Sequence, residues 1–185
     1  MTVLDALAAD LGVSGRSLRR AVERGTIRAR RLSPRRTELS FAERQYVETH
    51  WELLAKVVAR LRTRLNVRLA VVYGSVARGD DRPDSDVDLL VSLAREDAHT
   101  GASLAATIGE ELGRRVQVVS LAAAGRTPLL LLDIVREGRV LVDRDDEWPS
   151  LRRREQQLRR QAAAAEDELD QRIGELAELV AADAG

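Results

Sequence analysis

Apolar side chains recur at helical spacing near the start of the chain. The first stripe stops at Gly12, and a second short helix is predicted from Ser17 to Arg24, with Ser14 as its N-cap and Gly25 at its end. The residues that form the first stripe are Val3, Leu4, Leu7 and Leu11. The chain is therefore predicted to begin with two short helices.

Beyond Gly25 the pattern alternates between polar and apolar residues. Two alternating runs, Thr26 to Leu32 and Ser33 to Leu39, predict a small hairpin with its turn at Ser33-Pro34. Helical spacing returns from Ser40 to about Leu65, with one apolar face made of Trp51, Leu54, Val57, Val58, Leu61 and Leu65. We expect two helices and a basic wing, followed by a connecting helix.

From Arg68 onward, short apolar runs typical of buried strands replace the helical pattern. The predicted strands are Leu69–Tyr73, Val87–Val91, Val116–Val119 and Arg139–Val142. Helices are predicted between them at Ala102–Leu112 and Thr127–Glu137, each followed by a glycine. This order of elements predicts an α/β fold with a small mixed sheet.

The last segment, after Pro149, places apolar residues three, four or seven positions apart, which is a heptad-like pattern. These residues are Leu151, Leu158, Ala162, Ala165, Leu169, Ile173, Leu176 and Val180. The pattern predicts a long C-terminal helix. It fits equally a helix packed on its own domain and a coiled coil with a second copy or a partner protein.

Composition supports a globular protein. The 185 residues are 44% hydrophobic, and no apolar run approaches the ~20 residues that a membrane span needs. No secretory leader is evident, so we expect a soluble, cytoplasmic protein without membrane association. Cysteine is absent, which excludes disulfides and thiolate metal sites. His50 and His99 stand alone in the sequence, and we assign neither a role.

The overall net charge of zero conceals a division along the chain. Residues 1–66 contain fourteen basic and seven acidic residues, a net charge of +7, so the remainder carries −7. A basic head on an acidic body is expected when one segment contacts a polyanion. A high arginine content alone does not indicate a polyanion partner, but the clustering of arginine in one segment does.

The most informative motif begins where the first predicted strand ends. Gly74 allows a sharp turn and a close approach to a ligand, and Ser75 offers a hydroxyl beside the amides of a helix start. Arg78, about one turn further on, can reach the same phosphates. These residues are therefore candidates for binding a nucleotide's phosphate groups.

A pair of carboxylates follows at the start of the second predicted strand. Asp86 and Asp88 are two residues apart, so their side chains project from the same face of the strand. Two adjacent carboxylates repel unless a cation neutralises them, and Mg²⁺ typically takes one or two carboxylates together with substrate phosphates. The pair predicts a magnesium site.

Gly74-Ser75, ten further residues and Asp86-x-Asp88 together resemble the minimal nucleotidyltransferase motif of the DNA polymerase β superfamily. Arg78-Gly79 and Ser85 add to the likeness, which covers Arg68 to about Asp143. The resemblance implies a nucleotidyltransferase fold in which Asp86 and Asp88 are catalytic and bind Mg²⁺, and in which Gly74, Ser75, Arg78 and Ser85 bind the nucleoside triphosphate. Members transfer a nucleoside monophosphate to a hydroxyl and release pyrophosphate.

One position departs from this pattern. Members of the superfamily generally supply a third carboxylate from a neighbouring strand, where this chain has Gln117. Glutamine can coordinate a cation through its carbonyl but cannot act as a base. Three interpretations follow: the protein works with two carboxylates, Asp84 substitutes, or transfer is lost and the fold serves binding.

The basic head resembles the helix-turn-helix of excisionase-like and related winged bacterial DNA-binding domains. From Arg16 to Arg36 there are nine arginines and one acidic residue, Glu23. The predicted DNA contacts are Arg16, Ser17, Arg19, Arg20, Arg30, Arg31, Arg35 and Arg36. A basic surface that is merely solvated, or that docks on the acidic body, is the competing interpretation.

We predict four segments: a DNA-binding head (1–45), a connecting helix (46–66), a nucleotidyltransferase domain (67–147) and a heptad-like helix (148–185).

The first functional hypothesis is an enzyme that uses ATP. Minimal nucleotidyltransferases often resemble antitoxins that modify a partner toxin, and the DNA-binding head would then provide autoregulation. A small-molecule acceptor such as an aminoglycoside stays open. The second hypothesis is a weakly active or inactive regulator that binds DNA and a nucleotide.

Overall fold

The computed structural model describes residues 2–33, 36–95 and 98–183. Within them a helical start is followed by strands and helices in alternation. In chain order the elements are α1 (Val3–Asp10), α2 (Gly15–Arg24), β1 (Arg30–Ser33), β2 (Arg36–Glu38), α3 (Phe41–Arg62), β3 (Val67–Tyr73), α4 (Gly74–Arg78), β4 (Val87–Leu93), α5 (Ala98–Leu112), β5 (Val116–Ser120), α6 (Leu121–Ala124), α7 (Pro128–Glu137), β6 (Arg139–Asp143), α8 (Glu147–Arg153) and α9 (Glu155–Asp183).

A four-stranded mixed sheet of order β5-β4-β3-β6 forms the centre of the molecule. β3 pairs antiparallel with β4 and β6, whereas β4 and β5 run parallel. Since side chains alternate between the two faces of a strand, Ala70 and Val72 enter one core and Leu69 and Val71 enter the other. Burial on both faces explains the continuous apolar run of β3, and the predicted α/β architecture is confirmed.

Helices cover both faces of this sheet. α3 and α5 pack on the first face through residues such as Leu54, Val57 and Ile108. α7 and α9 cover the second, where Ile134 and Leu158 join the core. Gly74-Ser75 and Asp86-x-Asp88 lie at the edge where β3 ends and β4 begins, between these two layers.

The head consists of α1, α2 and the β1–β2 hairpin. Ser14 accepts a hydrogen bond from the Ser17 amide as the N-cap of α2, and Gly25 ends that helix in the left-handed region with φ +88°. Leu7 and Leu18 are fully buried in the same core that α3 and the first sheet face share. The predicted helices are therefore present, but their apolar sides belong to the core of the whole molecule.

The hairpin is shorter than the sequence pattern predicts. Its strands pair with Arg30 opposite Glu38 and Arg31 opposite Thr37. The alternation that begins at Thr26 has another cause, because the Thr26 hydroxyl donates to a β6 carbonyl and the neighbouring side chains are buried. The predicted turn residue Pro34, and Arg35 after it, lie outside the described residues.

The predicted C-terminal helix is divided at Arg154 into α8 and α9. The first part of the heptad-like pattern is buried on the protein's own core, where Leu151, Leu158 and Ala162 pack near α7. The outer part is exposed at Leu169, Ile173 and Leu176. The Val180 side chain lies outside the described set. Intramolecular packing thus accounts for the inner half of the pattern only.

The helix start expected at Ser75 is present as the five-residue helix Gly74–Arg78. One short element was not expected: Leu121–Ala124 forms a helix that the pattern did not indicate, capped by Ser120. None of the described helices combines the length and apolar character required to cross a bilayer.

Candidate active site

The turn between β3 and α4 brings backbone and carboxylate into contact. Gly74 has φ +68°, a left-handed conformation that suits glycine. A Cβ at this position would lie 2.6 Å from Asp88 Oδ2, closer than any real Cβ contact. Two features therefore favour glycine at this position: the left-handed backbone angle, and the Asp88 carboxylate in the space that a Cβ would occupy. Ser75 follows immediately and is partly buried.

Sheet register explains why these residues meet. Tyr73, the last residue of β3, is opposite Asp88 in β4. Asp86 lies two residues earlier, on the same face. Burial raises the pKa of the Asp88 carboxyl, and the charge of Asp86 raises it further, while Arg78 acts in the opposite direction. The two carboxylates are thus close enough to repel and together form a concentrated negative site.

β5 supplies the third side chain of the site. Its parallel pairing places Gln117 opposite Asp88. The Gln117 amide donates to Asp86 Oδ2, and Arg115 Nε lies 3.2 Å from the same oxygen. Asp84 is exposed, and no cluster of three or more His, Cys, Asp or Glu side chains suited to a metal occurs among the described residues.

The remaining predicted phosphate ligands have partners within the protein. Arg78 pairs with Glu137 Oε2 at 3.0 Å and with Asp80 Oδ2 at 3.2 Å, and these hydrogen bonds raise its pKa. The Ser85 hydroxyl accepts the Arg82 amide at 2.9 Å and closes a turn. Arg78 is half-exposed and lies near Asp88, whereas Ser85 shapes the loop that leads to Asp86.

Comparison with known proteins agrees with this geometry. The family model described as "Polymerase beta, Nucleotidyltransferase" matches residues 55–147, which include β3, β4, β5 and the whole acidic site. The chain belongs to the polymerase beta nucleotidyltransferase family. The predicted family is therefore confirmed, and the match leaves the basic head outside its limits. Comparison with curated protein sequences gave no significant match.

Solved structures of similar fold come from toxin–antitoxin complexes. A mutant MntA–HpeT complex matches with a TM-score of 0.56 and 19% identity, over 65% of this chain and 97% of that chain. The MntA–HepT complex gives 0.52 and 18%, over 66% and 97%. A toxin–antitoxin complex with AMP-PNP gives 0.51 and 23%, over 63% and 97%. At these identities the likeness establishes a shared nucleotidyltransferase fold.

The loop that precedes Asp86 in this nucleotidyltransferase is held by three buried or partly buried polar side chains. Asp81 accepts a hydrogen bond from Arg114 at 2.9 Å and lies 2.7 Å from His50 Nε2. Arg114 also donates to the backbone carbonyls of Ser85 and Arg82. Burial raises the pKa of Asp81, but the hydrogen bonds from His50 and Arg114 outweigh it and leave that pKa lowered.

Sequence analysis missed this group because its members are far apart in the chain. A signal was present in α3, where His50 occupies the same face as the buried Val47, Leu54 and Val57. A histidine on a buried face needs a polar partner. The partner, Asp81, lies between the two halves of the nucleotidyltransferase motif, so the family's loop and the connecting helix are physically linked.

The predicted DNA contacts lie on the surface of the head. The described ones are all exposed: Arg16, Ser17, Arg19 and Arg20 on α2, and Arg30, Arg31 and Arg36 on the hairpin. Arg19 pairs with Asp5 at 2.8 Å and Arg30 with Glu38 at 2.9 Å, so two of these cations have partners within the head. Arg35 lies outside the described residues.

Proposed function

We propose that this chain is a magnesium-dependent nucleotidyltransferase that transfers AMP from ATP to a hydroxyl on a partner protein, and that its head binds DNA. The observation that carries the proposal is the contact of Gly74 with Asp88 beside Asp86. A left-handed glycine lets the backbone approach a phosphate chain closely, and the neighbouring carboxylates offer a cation oxygen donors.

The two carboxylates fit one divalent cation. Asp86 and Asp88 would hold Mg²⁺. Burial, and then the charge of Asp86, raise the pKa of Asp88, so the ionised pair would be stabilised by a cation. When bound, the ion polarises the α-phosphate and offsets developing negative charge. A second ion has less support, because Gln117 is neutral and occupies one lone pair of Asp86.

The transfer step is an in-line displacement. The acceptor oxygen forms a bond to the α-phosphorus, the bond to the bridging oxygen breaks, and pyrophosphate leaves. The hydroxyl proton passes to solvent, since Gln117 cannot accept one. This chain's contribution is to position the phosphates beside Gly74 and Ser75, with Arg78 near enough to Asp88 to favour added negative charge.

Adenine nucleotide and a toxin are the favoured substrates because of the structural neighbours. One similar complex contains AMP-PNP, and the others are toxin–antitoxin pairs. The exposed apolar residues Leu169, Ile173 and Leu176 of α9 offer a surface for such a partner or for a second copy of the chain. We therefore expect antitoxin function for this nucleotidyltransferase, and a toxin partner encoded nearby.

The test is transfer of label from α-labelled ATP with Mg²⁺, with the chain alone and with the product of the adjacent gene. Label should appear on the partner and be lost in Asp86→Asn and Asp88→Asn, but not in Asp133→Asn, an exposed carboxylate on α7. Label on an aminoglycoside but not on the partner would replace the protein acceptor with a small molecule. Retained transfer in both site variants would refute the assignment.

DNA binding by the head is supported by its exposed arginines and its net positive charge. Replacing Arg19 and Arg20 by Ala should weaken duplex binding and flatten its salt dependence, because each phosphate contact removed lowers the slope by ~0.9. Asp86→Asn should leave this affinity intact. An unchanged salt slope would show that these arginines do not contact phosphates.

A second candidate function is a regulator with slow or absent transfer, and Gln117 favours it. Its amide donates to Asp86 where the family generally has a carboxylate. If this hypothesis holds, wild-type turnover is low and Gln117→Asp raises it, by up to the ~10² to 10⁴ that a positioned base contributes. Brisk wild-type turnover that Gln117→Asp leaves unchanged would exclude it. Asp84→Asn, tested in parallel, shows whether the exposed loop carboxylate substitutes.

A further inference from the structure

A cavity of about 170 Å³ lies between α2 of the head and α3, and none of the residues around the acidic pair lines it. Its walls combine two kinds of surface. Arg20, Arg24 and Arg62 line it with positive charge, and Trp51, Leu54 and Val58 supply an apolar side. The pocket thus has cations and an aromatic ring in its lining but no carboxylate.

The three guanidinium groups lack counter-charges. None of them is paired with an acidic side chain in the described part of the chain. Arg24 Nε is buried and has no hydrogen-bond partner. Burial lowers the pKa of Arg24, and the charges of Arg62 and Arg20 lower it further. An unpartnered, partly buried cation beside two others is unfavourable unless an anion joins it.

Other arginines of this fold provide a comparison for the cluster. Several arginines that join elements of this fold have an acidic partner: Arg139 pairs with Glu43, Arg114 with Asp81 and Arg44 with Asp10. Others, such as Arg28 and Arg144, donate to backbone carbonyls of a distant element. Arg20, Arg24 and Arg62 differ from the first group in that three cations line one pocket without an acidic partner in the described part of the chain. It is the arrangement that an anion-binding site requires.

We infer that this cavity binds a small aromatic anion, with its phosphate or carboxylate group facing Arg20, Arg24 and Arg62 and its ring against Trp51. A cavity of ~150 Å³ accommodates one benzene ring, so a pocket of about 170 Å³ has room for a single ring against Trp51. The site is distinct from the transferase site in position.

Because the pocket lies beside the proposed DNA-binding surface, a bound ligand would affect the head. Arg20 lines the cavity and also lies on the exposed surface of α2 that we propose for DNA. An anion held by Arg20 withdraws that cation from DNA phosphates. The ligand therefore competes with DNA, and the cavity is an effector site for the head.

The probe is phenyl phosphate, with inorganic phosphate and phenol as its separate halves. Trp51 fluorescence can be followed in Trp148→Phe, since the chain has only these two tryptophans. Phenyl phosphate should change the signal saturably with a Kd below ~1 mM and bind at least about tenfold more tightly than either half. The same ligand should raise the Tm of the wild-type protein, a measurement that does not depend on folding of the tryptophan variant.

Variants separate this site from general electrostatic attraction. Arg24→Gln and Arg62→Gln should each weaken phenyl phosphate by about tenfold or more. Arg19→Gln, on the same helix but paired with Asp5 and outside the cavity, should leave it unchanged. Phenyl phosphate and duplex DNA should also compete for binding to the protein.

Three outcomes would overturn the inference. One is the absence of a saturable response and of a Tm shift with phenyl phosphate. Another is equal weakening by Arg19→Gln. The third is unchanged phenyl phosphate affinity in both Arg24→Gln and Arg62→Gln, which would show that these arginines do not hold the anion.

Discussion

Gly74 is the residue on which the geometry of the acidic pair depends most directly. Its φ of +68° costs a non-glycine residue about 1 kcal/mol, and a Cβ would in addition lie 2.6 Å from Asp88 Oδ2. Gly74→Ala should therefore move the carboxylate and abolish Mg²⁺-dependent nucleotide binding. Gly12→Ala is the matched control, because Gly12 has φ +67° with nothing within 4 Å of its Cβ position.

The two variants should lose similar stability in urea unfolding but differ in titration with nucleotide and Mg²⁺. The difference isolates the contact with Asp88 from the backbone strain that both share. Normal nucleotide affinity in Gly74→Ala would show that Asp88 can move without consequence for the site.

Tyr46 illustrates a side chain kept for its ring rather than its hydroxyl. It stacks on His50 at 4.4 Å, and the Arg139 guanidinium lies 3.4 Å from its ring centroid. Its hydroxyl is buried without a partner, and burial raises its pKa to about 12. Tyr46→Phe should leave the free energy of unfolding unchanged or raise it by ~1 kcal/mol, because an unsatisfied group is removed.

Tyr46→Leu, which removes the ring, should instead lower the free energy of unfolding. Urea titrations of the three proteins distinguish the two contributions. A loss above ~1 kcal/mol in Tyr46→Phe would mean that the hydroxyl does have a hydrogen-bond partner in solution.

At the scale of elements, the loop between α4 and β4 depends on side chains from other parts of the chain. Arg114, two residues before β5, joins Asp81 to the carbonyls of Arg82 and Ser85. Arg114→Gln should release the loop and weaken Mg²⁺-dependent nucleotide binding by ~10- to 100-fold, as loss of outer-shell support does in metal sites. Isothermal titration at fixed Mg²⁺ measures this.

Arg82→Gln serves as the control for that experiment, since Arg82 is in the same loop and contributes its backbone to these contacts. Its exposed side chain should be replaceable without effect. Equal affinity in Arg114→Gln and wild type would show that the loop keeps its shape without the arginine.

For the whole molecule, the strands of the central sheet follow from the sequence within two residues at each end, because β3 to β6 are short apolar runs buried by helices. The acidic site follows as well, since Gly74, Asp86 and Asp88 are local in sequence. The features that the sequence did not predict depend on contacts between distant residues. They are the start of the hairpin, where Thr26 bonds to β6, and the group of His50, Asp81 and Arg114.

The predicted division into segments says nothing of how the head packs. In the structure Leu7, Leu18 and Ile27 share one core with α3 and the sheet. Local periodicity identifies an apolar face but does not identify the surface that covers it.

A buried ion pair joins the head, α3 and the sheet. Arg139 of β6 contacts both carboxylate oxygens of Glu43 and donates to the carbonyls of Ala77 and Thr26, while Glu43 also accepts the Arg28 amide. Both side chains are almost fully buried, at 3% and 7% exposure. Removing one partner leaves the other as an unpaired buried charge, which costs ~3–5 kcal/mol.

We therefore expect Arg139→Met to destabilise the head and the nucleotidyltransferase core together, in one unfolding transition. Trp51 lies on α3 near the head and Trp148 lies in the second core, so Trp148→Phe and Trp51→Phe give separate probes of the two regions. In urea both probes should shift to the same lower midpoint. Adding Glu43→Leu should recover part of the loss, because the orphaned charge is removed while the Ala77, Thr26 and Arg28 backbone groups stay unpaired. Separate midpoints for the two tryptophans, with only the Trp51 transition moved, would mean that the head unfolds by itself and that the shared core does not couple the two regions.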